Sequence, residues 1–110
     1  MKSPWKSIGS GDEIRQALVY GLGLSGRAAT RFLLERGVSV IGIDGRSREK
    51  LDLGELGSDP RLTVLAGGDP NELPGADVDL VIVSPGVPMT QPLIADARRR
   101  GVPVTGSLPA

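Results

Sequence analysis

Short apolar runs rich in β-branched residues recur along the chain at residues 17–20, 38–43, 62–65, 80–83 and 102–105. They are almost continuously apolar rather than alternating, the pattern of parallel strands buried on both faces. Between them the period changes to that of a helix. Over residues 25–36, Ala28, Ala29, Phe32 and Leu33 fall on one face and Arg27, Arg31 and Glu35 elsewhere, and Gly37 suits the position just past a helix end. Over residues 90–100, Leu93, Ile94 and Ala97 group together. Thr90 is placed to cap that helix and Pro92 fits its first turn. Arg98, Arg99 and Arg100 complement the negative end of its dipole as a solvated helix end, with an anion site as the alternative, and Gly101 closes it. The middle is less regular. Residues 47–56 read as a short helix and 70–73 as a single turn, among Pro60, Gly67, Gly68, Pro70, Pro74 and Gly75. Residues 1–16 are expected to form a flexible arm, polar and broken by Pro4, Gly9 and Gly11, with Trp5 either loosely packed or an anchor for a partner.

The strand and helix signals alternate as β-α-β-α-β and then β-α-β. Crossovers of this kind are right-handed, so residues 17–110 are expected to form a single α/β domain: a Rossmann-like, doubly wound parallel sheet of about five strands, in the order 3-2-1-4-5. In such a sheet ligands bind beyond the carboxyl ends of the strands, where the strand order reverses. Three loops meet there: GLGLSG at residues 21–26, Asp44-Gly45-Arg46, and Ser84-Pro85-Gly86.

Each loop has its own chemistry. In GLGLSG, Gly21 permits the tight turn after the strand and Gly26 lets the helix pack close to it. Gly23 lets an anion approach a backbone without a Cβ, so that the free N–H groups near Leu24 and Ser25 face a phosphate. The G-x-G-x-x-G spacing follows a strand and opens a helix, the context that gives it meaning. Otherwise it is a packing turn. Asp44 ends the second strand, eighteen positions after Gly26, where an acid takes the ribose hydroxyls of NAD. Arg46 beside it is awkward for that role, and the pair instead offers acceptor and donor groups to a polar base edge. A simple cap for the segment after Ser47 is the other reading. Pro85 and Pro88 stiffen the third loop, VSPGVP, and Gly86 lets a ligand come near its backbone. That loop also reads as a rigid connector.

Composition narrows the function classes. Thirteen basic residues, mostly arginine, balance thirteen acidic ones, so no net basic surface for nucleic acid is present. There is no cysteine and no histidine, which excludes a disulfide framework, a Cys/His zinc site and a His-based triad. No catalytic and no metal-ligating residue is assigned. No apolar run approaches the ~18 residues of a membrane span, and the N-terminus lacks the apolar core of a signal peptide. A soluble, cytoplasmic monomer that meets neither nucleic acid nor membrane is expected.

The segments GLGLSG with AATRFLLERG, then IDGR, then GADVDLVIVSPGVPMTQPLIADARRRGVPV, together resemble the N-terminal domain of the Mur ligases over roughly residues 17–106. VSPGVP followed by a helix and RGVPV is the specific part. The resemblance implies a three-domain parent enzyme of peptidoglycan synthesis. Its first domain binds the UDP portion of a UDP-sugar-peptide, here UDP-N-acetylmuramoyl-L-alanine. The second carries a P-loop for ATP and most magnesium ligands, and the third helps bind the incoming amino acid, here D-glutamate. The substrate carboxylate is activated as an acyl phosphate that the amine attacks. By position, the resemblance puts Leu24 and Ser25 at the diphosphate, beside the opening that Gly23 leaves. Asp44 and Arg46 frame the uracil with the Gly45 backbone between them, and Gly86 lies against the nucleotide from the third loop, whose Ser84 is counted with the UDP-binding residues. Some relatives carry a hydroxyl residue where Gly45 stands.

No G-x-x-x-x-G-K-[ST] occurs in the 110 residues. The chain is therefore expected to be an isolated first domain that binds no cofactor itself and is catalytically inactive alone, ATP and Mg2+ belonging to the full-length ligase. The competing readings are an NAD(P)-binding Rossmann module, supported by the glycine loop and Asp44, and a ligand-free interaction domain that has kept only the fold.

Overall fold

The computed structural model describes residues 14–106. Five parallel strands, β1 (Gln16–Tyr20), β2 (Ser39–Asp44), β3 (Leu62–Ala66), β4 (Leu80–Val83) and β5 (Val104–Thr105), form one sheet in the order β3-β2-β1-β4-β5. This is the order expected from the alternation of elements. Successive residues of each strand point to opposite faces. Ala17, Val19, Val40, Leu80 and Ile82 therefore meet Ala29, Leu33 and Leu34 of helix α1 (Leu24–Glu35) on one side. Leu18, Tyr20, Ile41, Ile43, Val81 and Val83 meet Leu93, Ile94 and Ala97 of helix α2 (Pro92–Arg99) on the other. Central strands covered on both faces need apolar residues at every position, which is why their runs are continuous. β3 lies at the edge and alternates instead, with Thr63 and Leu65 exposed.

The helix ends follow from local chemistry. At the C-terminus of α1, Gly37 takes a φ of +78°, and the N–H groups of Gly37 and Val38 donate to the carbonyls of Leu34 and Leu33. This left-handed closure is the reason for a glycine there. Val38 is used in it, so β2 starts one residue later than its apolar run. Ala28 is exposed rather than on the packed face, and Thr30 is buried in its stead, its hydroxyl donating to the Gly26 carbonyl at 2.8 Å. Thr90 does not cap α2. Gln91 occupies that position without a side-chain hydrogen bond, and Pro92 opens the helix.

Two segments depart from the expected elements. Residues 47–56 form no α-helix but two 3-10 turns, Arg48–Lys50 and Gly54–Ser58. Leu51, Leu53 and Leu56 are all buried, and residues two apart do not share a helix face, so an α-helix could not bury all three. Residues 70–73 make no helical turn, because the Leu73 N–H donates to the buried Asp96 carboxylate at 2.9 Å. Arg99 and Arg100 pair with the same carboxylate, at 2.9 and 3.1 Å. The Leu73 N–H first, and then the two arginines, hold Asp96 below the usual carboxylate range against the effect of burial. Part of the arginine run thus ties α2 to the β3–β4 connection.

Residues 14–16, expected to fall in the arm, are part of the domain. Ile14 packs in the core, Gln16 pairs with Ser39, and the Arg15 and Gln16 N–H groups donate to Asp79 at 2.9 and 3.1 Å. Trp5 and the other residues expected to form the arm lie outside the described residues. Among the described residues, no helix is long and apolar enough to cross a membrane.

Candidate functional site

The strand order reverses beside β1, whose neighbours β2 and β4 lead into opposite layers. A crevice opens there at the carboxyl ends of the strands. Gly21 turns the chain out of β1 with a φ of +94°, a conformation that L side chains rarely adopt, and its N–H donates to the Ile43 carbonyl at 2.7 Å. The Gly21 carbonyl accepts the Ser84 hydroxyl at 2.8 Å, while the Ser84 N–H donates to the Tyr20 carbonyl. Loops one and three are thereby locked together. Ser84, expected at the nucleotide, spends its hydroxyl proton on this lock.

The other two glycines differ in kind. A Cβ on Gly26 would lie 1.7 Å from the Gly21 carbonyl oxygen, so Gly26 exists to let α1 start against the turn itself. A Cβ on Gly23 would meet nothing closer than Arg46 Nη2 at 4.0 Å, and the residue has an ordinary φ of −75°. The fold places no demand on Gly23, so its missing side chain leaves room on the solvent side. α1 has no side-chain cap and no acidic residue in its first turn. Its first N–H groups, at the exposed Leu24 and Ser25, lack intrahelical partners, and the positive end of its dipole is uncompensated.

Asp44 is buried at the end of β2. Its Oδ1 accepts the Arg46 N–H at 2.9 Å and Arg46 Nε at 3.0 Å. Its Oδ2 accepts the Leu22 N–H at 2.8 Å and Arg46 Nη2 at 2.9 Å. Four donors saturate the carboxylate. The hydrogen bonds from the Arg46 side chain lower its pKa to about 2, against the opposing effect of burial, with the Arg46 and Leu22 N–H groups adding to the shift. Asp44 neither caps the segment after Ser47 nor keeps a free acceptor for a ligand in this arrangement. It closes a turn onto Arg46 and holds the glycine loop through Leu22. Arg46 stays about half exposed, its guanidinium held beside Gly23.

These loops enclose a cavity of about 410 Å3, within the range of small-molecule sites. Gly23, Leu24, Ser25, Asp44, Arg46, Ser84 and Gly86 all line it, together with Gly21, Pro85 and Val87. Gly45 alone of the expected site residues does not. A larger groove of about 550 Å3 runs between α1 and the Asp52–Leu56 segment. It is lined by α1 side chains and that segment, and it meets the crevice at the strand ends only through Leu24.

Sequence reasoning missed three contributors: Leu22, whose N–H anchors Asp44; Tyr20, whose buried hydroxyl donates to Asp69 at 2.7 Å; and Asp69 itself, in the loop after β3. Burial and the neighbouring Asp69 carboxylate both push the Tyr20 hydroxyl well above its ordinary pKa, keeping it a donor. An acid following Gly67 and Gly68 was the one available signal. Among the described residues, no cluster of acids suits a metal ion.

Comparison with known proteins identifies the family. The family profile described as Mur ligase MurD-like, N-terminal domain, matches residues 15–106. The UDP-N-acetylmuramoylalanine–D-glutamate ligase of Rubrobacter xylanophilus is 47% identical over 93 residues, which cover 83% of this chain and 20% of the relative. The enzymes of the same name from Syntrophotalea carbinolica and Pelotomaculum thermopropionicum are 41% and 42% identical, each over 86% of this chain and 21% of the relative. The chain spans about one fifth of the length of these relatives.

Proposed function

This chain belongs to the Mur ligase family through its MurD-like N-terminal domain, and we propose that it holds the uridine diphosphate portion of UDP-N-acetylmuramoyl-L-alanine for D-glutamate addition in peptidoglycan synthesis. The observation that carries the reading is the pairing of two cationic elements at one cavity. The uncapped, acid-free start of α1 faces it, and the Arg46 guanidinium stands beside Gly23 on the same wall. A diphosphate carries the complementary charge, and open space at Gly23 lets it reach the Leu24 and Ser25 N–H groups. Gly86 lies across the cavity with open space over it, next to the nucleotide in this reading. A nicotinamide dinucleotide fits less well, because the acid that would accept its ribose hydroxyls is saturated by Arg46 and Leu22.

ATP and magnesium are implied for a complete ligase. The residues present do not suit them: the 110 residues contain no G-x-x-x-x-G-K-[ST], and the described ones hold no acidic cluster for the metal. The role assigned here is substrate holding, by a monomer in the cytoplasm, with no bond made or broken by these residues alone.

Arg46→Ala tests the reading. It removes one of the two cationic elements and should raise the dissociation constant for UDP about tenfold, the weight of a charge-assisted hydrogen bond. The melting temperature should fall only slightly, since Arg46 is half exposed and the ion pair is screened by solvent. Calorimetric titration with UDP, with thermal unfolding alongside, gives both numbers. Unchanged UDP affinity would remove Arg46 from the site.

A further inference from the structure

Asp69 lies in the exposed loop after β3, beside the cavity rather than among the residues that line it. That loop is fastened to the base-side loop, because the Gly67 N–H donates to the carbonyls of both Asp44 and Arg46, at 3.0 and 2.8 Å. The carboxylate itself is held from below: Oδ1 accepts the hydroxyl of Tyr20, whose ring is buried in the core. Oδ2 has no protein donor among the described residues. It stands 3.1 Å from where a Cβ on Gly45 would be. The carboxylate thus fills the space that a side chain on residue 45 would occupy, next to Arg46.

We propose that Asp69 supplies the acceptor that selects a uracil base at this site, taking the place of a side chain at position 45. The proposal rests on the uridine diphosphate reading above. Uracil presents two carbonyl oxygens flanking an N3–H. A fixed carboxylate accepts that N3–H, while the neighbouring Arg46 guanidinium serves the diphosphate. In this register cytosine presents a lone pair at N3, which a carboxylate repels, and its N4 amino group reaches the pinned oxygen only if the base shifts. The pinned acid therefore favours the imide base over its amino counterpart, whereas the diphosphate-binding elements treat both alike.

The test compares UDP with CDP by calorimetric titration of the whole chain and of two variants. The native chain should bind UDP about tenfold or more tightly than CDP. Asp69→Asn keeps the shape and an acceptor for the Tyr20 hydroxyl but turns an amide toward the base. It should bring the UDP-to-CDP ratio close to one, with CDP binding retained. Tyr20→Phe keeps the ring, frees the carboxylate, and should lower the ratio severalfold. An unchanged ratio in folded Asp69→Asn, with UDP still bound, overturns the role of Asp69 and leaves the diphosphate reading standing. Should Asp69→Asn not fold, an unchanged ratio in Tyr20→Phe overturns it equally. Failure of the native chain to bind either nucleotide overturns both.

Discussion

Gly26→Ala should destabilise the protein by about 3 kcal/mol, the upper range for overpacking a rigid site. The added Cβ would lie 1.7 Å from the Gly21 carbonyl oxygen and 2.9 Å from Ser84 Oγ. Neither neighbour is a flexible side-chain end that can move aside. The Gly21 carbonyl is fixed by the turn at φ +94° and by the Ser84 hydroxyl, and Ser84 is fixed by its N–H bond to Tyr20. α1 would have to back away from β1, opening the layer built on Ala29, Leu33 and Leu34. For a domain of this size the melting temperature should fall by more than ~10 °C, read by far-ultraviolet circular dichroism. Gly23→Ala is the control. Its Cβ has room and its φ is ordinary, so stability should stay within about 0.5 kcal/mol of the parent. Equal losses for the two variants would mean that the glycines serve the fold alike, and the distinct role of Gly23 would be lost.

Asp44→Ala should cost about 2 to 3 kcal/mol and weaken UDP binding as well. The change strands the buried Leu22 N–H and frees the Arg46 guanidinium from its place beside Gly23. The effect has a pH signature. The folded pKa of about 2 lies below the unfolded value near 3.9, so the native state favours the charged carboxylate. Stability from this group is complete above about pH 4 and is lost as pH falls toward 2, on the order of 2 kcal/mol in all. Asp59 and Asp96 are also lowered by their arginine and backbone partners, but they are present in both proteins and cancel in the difference. The gap in urea midpoint between parent and Asp44→Ala should therefore be widest at pH 5 to 7 and should shrink between pH 4 and 2. A gap that stays constant through that range would mean that the carboxylate acts by packing alone.

The architecture was legible because burial on both faces writes a strong, local pattern. β1, β2 and β4 are runs that no surface element would tolerate, and handed crossovers then leave one strand order. What escaped was set by contacts distant in sequence. Leu51, Leu53 and Leu56 have no common period, and only the α1 face they pack against explains why all three are apolar. Residues 70–73 read locally as a helical turn because nothing nearby in sequence signals that Asp96, twenty-three residues on, takes the Leu73 N–H. At the site, the glycine loop, Asp44 with Arg46, and the Ser84–Gly86 loop were found because each ends a strand at the same edge. Their division of labour was not legible. Asp44 read as a ligand acceptor, yet all its acceptor positions go to the protein, which leaves the contact with ligand to the guanidinium that it holds. Asp69 was invisible because its importance depends on two residues, Tyr20 and Gly45, that it meets only in the folded chain.

The central claim is that this crevice takes a uridine diphosphate rather than a nicotinamide dinucleotide. Titration calorimetry of the chain with UDP-N-acetylmuramoyl-L-alanine, UDP and NADH measures that preference directly. Both uridine compounds should bind saturably, one to one, and NADH should give no saturable heat. Saturable binding of NADH with none for the uridine compounds would contradict the claim.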